Sequence, residues 1–297
     1  MLKVKNISKS YGSNLAVDNL SFTVKDGEIF GLLGANGAGK TTTFRIIMGL
    51  LEADNGIVTL DDKKIDYTVT DKIGFVTEER SLLTKMTVKD QIVYYGILKG
   101  MREEIILERL DEWLKKFKIE EYKNRKIKEL SKGNQQKIQF ISAVINEPKL
   151  LILDEPFTGL DPINVEMFKQ AIYELQKKGC SIIFSSHQME HIEMFCEKLI
   201  ILVKGKVVLE GYLKDIKKEY RKKNIHIIGD IDIEKIKSID GVIKVEKLAN
   251  EYEVKIKDEE VVDSVFKSIS KNKITKFVVE EPTLNEIFIS KVGEKYE

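Results

Sequence analysis

Short apolar segments alternate with longer amphipathic ones through the first two thirds of the chain. Residues 2–7 and 20–24 alternate apolar and polar positions, which predicts half-buried strands. Residues 28–33 form an apolar run ending in glycine, and a helical pattern starts near Gly39. From about 86 to 145 the β-branched runs give way to charged helical patterning, which predicts a helical subdomain inserted in the sheet order. Residues 150–153 and 181–185 are again short, apolar and turn-bounded, as strands buried within a parallel sheet are. This alternation predicts an α/β domain built on a largely parallel sheet.

Over residues 214–224 the composition turns basic, with Lys217, Lys218, Arg221, Lys222 and Lys223. Such a run reads as a solvated linker helix. It places a domain boundary between 218 and 219, dividing the chain into 1–218 and 219–297. Beyond it the pattern gives a strand at 225–228, a short helix at 233–239 and a hairpin of 242–248 with 252–256 across Ala249-Asn250. A helix at 260–269 and a strand at 274–279 follow. The order βαββαβ predicts a small α+β domain of the ferredoxin-like arrangement. A last helix is expected after Pro282, capped by Thr283, with Leu284, Ile287 and Phe288 on one face.

The bulk composition narrows the functional classes. A 42% hydrophobic and 33% charged chain of 297 residues reads as soluble and globular, large enough for a substantial core and a second small domain. Its 49 basic residues nearly cancel its 48 acidic ones, so no global field draws it to nucleic acid. Cys180 and Cys196 lie in apolar stretches without a CxxC spacing, which argues against metal or redox chemistry and for a reducing cytosol. No apolar run approaches the roughly 18 residues of a membrane span. Membrane association is therefore expected through a partner.

Gly34-Ala35-Asn36-Gly37-Ala38-Gly39-Lys40-Thr41 fits G-x-x-x-x-G-K-[ST] between a predicted strand and a predicted helix, with Thr42 next in line. Glycines let consecutive backbone N–H groups wrap phosphates, and the helix N-terminus adds its dipole. Lys40 would neutralise β- and γ-phosphates, and the Thr41 hydroxyl would ligate Mg²⁺. Residues 150–155, Leu-Leu-Ile-Leu-Asp-Glu, form a strand run ending in two carboxylates, where ligands of parallel sheets sit. Asp154 suits the Mg²⁺ role of such a site, and Glu155 that of general base on the attacking water.

Further segments carry a family resemblance. Leu130-Ser131-Lys132-Gly133-Asn134-Gln135-Gln136 resembles the signature motif of the ABC ATPases. Gly159-Leu160-Asp161-Pro162 resembles their D-loop, and Ser185-Ser186-His187 their switch-histidine segment. Tyr11 sits where that family places a ring stacked on adenine. The resemblance covers about residues 1–211 and implies a P-loop ATPase core that binds ATP with Mg²⁺. It also implies a head-to-tail dimer, homo- or heterodimeric, in which Ser131 and Gly133 face the partner's ATP and Asp161 lies nearby. His187 would contact the γ-phosphate. Separate permease subunits would hold the chain peripherally on the cytoplasmic face of the membrane. His191 and His226 have no such context and read as structural.

The chain departs from the family pattern at two places. Lys132 and Asn134 stand where most members have glycine and glutamine. In the Q-loop-like segment, residues 73–80, Glu78 replaces the glutamine. A carboxylate ligates Mg²⁺ more strongly than an amide but also repels the γ-phosphate. Both departures, and the closing Pro282-Thr283-Leu284-Asn285-Glu286-Ile287-Phe288, resemble the sodium- and antibiotic-efflux branch of exporters. The competing functions are a non-transport ABC ATPase of DNA repair or translation and an importer ATPase. A lone P-loop without sustained heptads disfavours the first, and the βαββαβ tail disfavours the second.

Overall fold

The structure is a computed structural model that describes residues 1–66, 69–79, 81–220 and 222–296, with side chains to residue 291. Arg80 of the Q-loop-like segment and Arg221 of the basic run lie outside the described residues. Two compact units emerge, Met1–Glu210 and Gly211–Glu297. The division therefore falls before the boundary expected at 218. The lysines at 214–218 lie on helix α7 (Leu213–Glu219), inside the second unit. Their charge marks a solvated helix face and not a seam.

In the first unit a six-stranded sheet has the order β10-β9-β3-β8-β7-β6. Its strands are β3 (Ile29–Gly34), β6 (Ile73–Val76), β7 (Leu150–Asp154), β8 (Ser181–Ser185), β9 (Lys198–Val203) and β10 (Lys206–Tyr212). β3 pairs in parallel with both β8 and β9, and β7 pairs in parallel with both β8 and β6. Every residue of β3, β7 and β8 is buried, which explains their unbroken apolar runs. A second sheet, β2-β1-β4-β5, is antiparallel. It comprises β1 (Leu2–Tyr11), β2 (Asn14–Val24), β4 (Asn55–Leu60) and β5 (Lys63–Lys64), and the alternation had foreshadowed only parts of β1 and β2. Helix α1 (Lys40–Ile47) contributes Phe44, Ile46 and Ile47 to a core shared by both sheets. Within that core Phe22 stacks on Phe30 at 4.9 Å.

The helical insert occupies the connection between the paired strands β6 and β7. It contains α2 (Val88–Leu98), α3 (Glu103–Phe117) and α4 (Lys132–Val144). The Thr87 side chain caps α2 through the Asp90 amide, and the Ser131 side chain caps α4 through the Asn134 amide, satisfying N–H groups the helices leave open. Packed rings of Trp113, Phe117, Phe140 and Phe168 join α3 and α4 to α5 (Pro162–Lys177). The half-buried Lys99 donates to the Ile73 carbonyl (2.9 Å), and burial lowers its pKa. Helix α6 (Met189–Phe195) follows β8, with Phe195 stacked on Phe184.

The second unit bears a four-stranded sheet of order β12-β13-β11-β14, antiparallel throughout. Its strands are β11 (Lys223–Gly229), β12 (Val242–Lys247), β13 (Tyr252–Ile256) and β14 (Ile274–Glu280), with helices α8 (Ile233–Lys237) and α9 (Val261–Ile269) between them. Ile225, Ile227, Val254 and Ile256 pack against Ile236, Val265 and Ile269 to make its core. Helix α10 (Leu284–Tyr296) closes the chain and buries Leu284 and Ile287. Thr283 and Glu286 exchange hydrogen bonds with each other's amides (3.0 and 3.2 Å), a reciprocal capping box. The Glu286 carboxylate also receives the Asn224 amide (2.8 Å) and pairs with Lys255, tying α10 to β11 and β13.

Candidate active site

The glycine-rich loop follows the buried end of β3. A Cβ on Gly34 would lie 2.6 Å from the Leu202 carbonyl oxygen, and one on Gly39 (φ 104°) 2.4 Å from that of Ala16. Only glycine permits these approaches. Helix α1 starts at Lys40 with no side chain capping it, so its first amides remain available to a ligand. The buried Thr43 hydroxyl donates to the Gly39 carbonyl (2.9 Å) and braces the turn. Lys40 reaches back over the loop, its Nζ donating to the carbonyls of Gly34 (2.5 Å) and Ala35 (3.3 Å).

Beside the loop stand the carboxylates at the end of β7. Asp154 is buried, and burial raises its pKa. The Ser185 hydroxyl and Lys40 oppose that rise, while Glu155 and Glu78 add to it. Glu155 adopts a left-handed backbone (φ 52°), rare for a residue with a side chain and characteristic of functional sites. This turn buries its carboxylate against the segment after β8. The His187 amide donates to Oε1 (2.6 Å), the Ser186 hydroxyl donates to Oε2 (3.2 Å), and His187 Nδ1 lies 2.9 Å from Oε2. The His187 ring stays largely exposed.

These groups line one cleft of about 770 Å³, a size suited to a nucleotide. Gly34 through Thr42 form its floor, and Asp154, Glu155, His187 and Glu78 converge on it, with the half-exposed Tyr11 also in its lining. Asn14 and Ala16 line it too, which motif reading did not identify. Their signal is the Gly12-Ser13 turn between two alternating strands, a hairpin that places the start of β2 at the loop. Ser186, named in the switch-histidine segment without a role of its own, stands behind the cleft and holds the Glu155 carboxylate.

Ser131, Gly133 and Asp161 are absent from the cleft lining. They gather elsewhere. Gly133, expected just ahead of the helix, lies in the first turn of α4, within reach of Asn164 and Leu160. Asp161 caps α5, accepting from the Asn164 amide N–H (2.9 Å) with Pro162 at the first helical position. The remaining candidates are structural. Burial pushes the Cys180 thiol up to about 12 and that of Cys196 higher still, which leaves both inert. His191 packs edge-on against Phe157, and burial lowers its pKa. His226 is held by Glu251 at 3.0 Å on the sheet of the second unit.

The comparisons with known proteins agree with this geometry. Residues 17–158 match the family model described as ABC transporter, and residues 211–292 match the C-terminal domain of DrrA1-3-like ATP-binding proteins. The ABC transporter ATP-binding protein YhaQ of Bacillus subtilis is 48% identical over all of both chains. The linearmycin resistance ATP-binding protein LnrL of the same organism is 34% identical over 73% of this chain and 70% of its own. Among solved structures, a dimeric ATP-binding cassette in a post-hydrolysis state with ADP and Pi superimposes with a TM-score of 0.66 at 30% identity, covering 72% of this chain and 99% of that one. The chain belongs to the ATP-binding subunits of ABC transporters, a family of P-loop ATPases.

Proposed function

We propose that this subunit hydrolyses ATP in a head-to-tail dimer and drives efflux through separate permease subunits. The observation that carries the reading is the separation of the motifs. The loop, the carboxylates and His187 share one cleft, whereas Ser131, Gly133 and Asp161 cluster outside it. A second copy, or a second related ATPase, would bring its own cluster to that cleft and complete the phosphate contacts. The dimeric relative solved with ADP and Pi supports this assembly. The efflux direction is supported by the relative named for linearmycin resistance.

Tyr11 offers an exposed ring for the adenine, and the Gly34–Thr41 backbone offers donors for the phosphates. Lys40 would exchange the Gly34 and Ala35 carbonyls for β- and γ-phosphate oxygens. Glu155 would take the proton from the attacking water as the bond between the γ-phosphorus and the bridging oxygen breaks. His187, already against that carboxylate, would hold the water and the γ-phosphate in line. The hydroxyl of Thr41 and the carboxylates of Asp154 and Glu78 are hard oxygen donors lining the same cleft, and they fit Mg²⁺. Among the described residues no three His, Cys, Asp or Glu side chains form a metal site by themselves, so the nucleotide's phosphates would complete the coordination. When bound, the ion supplies charge neutralisation at the phosphates.

Among the described residues no helix is long and apolar enough to cross a membrane. The permease would therefore hold this subunit peripherally at the cytoplasmic face. Glu155→Gln tests the dimer: an amide keeps the shape, cannot accept the proton and removes a charge facing the γ-phosphate. With Mg-ATP this variant is expected to elute as a dimer that hydrolyses at least about 100-fold more slowly than wild type. A species that stays monomeric at saturating ATP overturns the assembly.

A further inference from the structure

Helix α4 carries Ser131 at its N-terminus, and its inward face touches the residues that flank Glu155 and Glu78, two members of the chain's own cleft. The Gln136 amide donates to the Pro156 carbonyl (3.2 Å), the residue after Glu155. The Gln139 amide nitrogen donates to the Thr77 carbonyl (3.1 Å), the Thr77 hydroxyl (2.8 Å) and the Glu79 carbonyl (3.4 Å), bracketing Glu78. These acceptors fix the amide's orientation, because turned over its oxygen would face two carbonyls. In that orientation Gln139 Oε1 is buried without a hydrogen-bond partner. A buried amide oxygen lacking a donor is costly, and an apolar side chain of similar size would avoid that cost. The gain at this position lies in the contacts of the nitrogen. Further along, the Gln91 side chain accepts from the Leu83 amide N–H (2.7 Å) and donates to Ser142 of α4 (3.0 Å). Leu83 is thereby anchored to α2 and α4.

We propose that Gln139 is a positioning residue that couples the Glu78 loop to the signature helix, so that occupancy of one cleft sets how Ser131 meets the nucleotide of the partner subunit. The proposal rests on the head-to-tail reading above. At a rise of about 1.5 Å per residue, Gln139 lies roughly 12 Å along the helix from Ser131. A loop displaced by bound nucleotide would pull on this rod through Gln139 and shift its other end.

The test is a double-mutant cycle on the full chain with Gln139→Leu and Thr77→Val, read by steady-state hydrolysis and by direct ATP binding. Gln139→Leu is expected to bind ATP within about 2-fold of wild type, to lose roughly 10-fold in kcat, and to drop from a Hill coefficient approaching about 2 toward about 1. Thr77→Val should move both kinetic parameters in the same direction by less, and the double variant should be no worse than Gln139→Leu alone. Losses that add, or wild-type kcat and cooperativity in Gln139→Leu, overturn the coupling, as does a wild-type protein without cooperativity. Should Gln139→Leu fail to fold by circular dichroism, Gln139→Met decides: a folded variant with wild-type kcat and unchanged cooperativity overturns the proposal. Dimerisation of Glu155→Gln separates the two failures. A dimer combined with unaltered Gln139→Leu kinetics refutes only the coupling, whereas an ATP-loaded monomer refutes the assembly beneath it.

Discussion

Asp154, Glu155 and Glu78 face the cleft together with Lys40; burial raises the pKa of Asp154, Lys40 opposes that rise, and the two glutamates add to it. Glu78 is the member that stands where the family pattern has an amide. Replacing it by glutamine should raise the Mg²⁺ concentration needed for half-maximal hydrolysis by roughly 3–10-fold, since a hard anionic ligand is lost. Binding of metal-free ATP should tighten, because one repulsive charge is gone. Titrations of hydrolysis against Mg²⁺, and of ATP binding in chelator, check both; superimposable curves would put Glu78 outside the metal's reach. Residues of this kind are legible in sequence because phosphate chemistry demands particular side chains at fixed spacing. Ala16 was not, because its contribution is a backbone carbonyl pressed against Gly39. Nor was Gln139, whose partners at 77 and 79 lie far away in the chain and close only in space.

Among the elements, α10 shows how a short motif can fasten a helix. Thr283-Leu284-Asn285-Glu286 was readable as a helix start from its cap and its apolar face. That Asn224 and Lys255 would converge on Glu286 was not, because they come from other strands. Burial would raise the Glu286 pKa, but Lys255, the Thr283 amide and Asn224 outweigh it and hold the carboxyl below its usual range. The resulting stabilisation is complete above the unfolded carboxylate value of about 4.3 and is lost as pH falls through the lower folded value. Glu286→Gln should therefore cost the second unit about 1–2 kcal/mol near neutral pH, a penalty that shrinks in acid. Tryptophan emission can serve as the internal control in whole-chain denaturation, since Trp113, the sole tryptophan, belongs to the first unit. The variant should shift far-ultraviolet circular dichroism and leave the Trp113 transition in place; an equal shift of both, or of neither, contradicts the clamp. The antiparallel sheet was harder to foresee. The first three residues of Asn55–Leu60 are exposed and only Val58 and Leu60 are buried, too short a run to display the period of a strand.

For the molecule as a whole, every residue lining the nucleotide cleft lies in Met1–Glu210, while β10 runs on to Tyr212. A chain ending after Tyr212 keeps that edge strand and is expected to bind ATP within about 3-fold of the full protein, by the independence of separate domains. A truncated chain that is folded by circular dichroism yet no longer binds ATP would refute the division. The position of β3 in its sheet has a consequence for biosynthesis. Its neighbours on either side are β8 and β9, which appear only at residues 181–203. Synthesis at about 5–20 residues per second leaves the finished β3 unpaired for on the order of ten seconds. During that interval the apolar run Ile29–Gly34 exposes both of its hydrogen-bonding edges, the kind of strand that recruits holding chaperones or other nascent chains. Ribosome-stalled chains of increasing length should accordingly shield the Lys40 loop from protease, and answer to ATP, only after Val203 has left the ribosome.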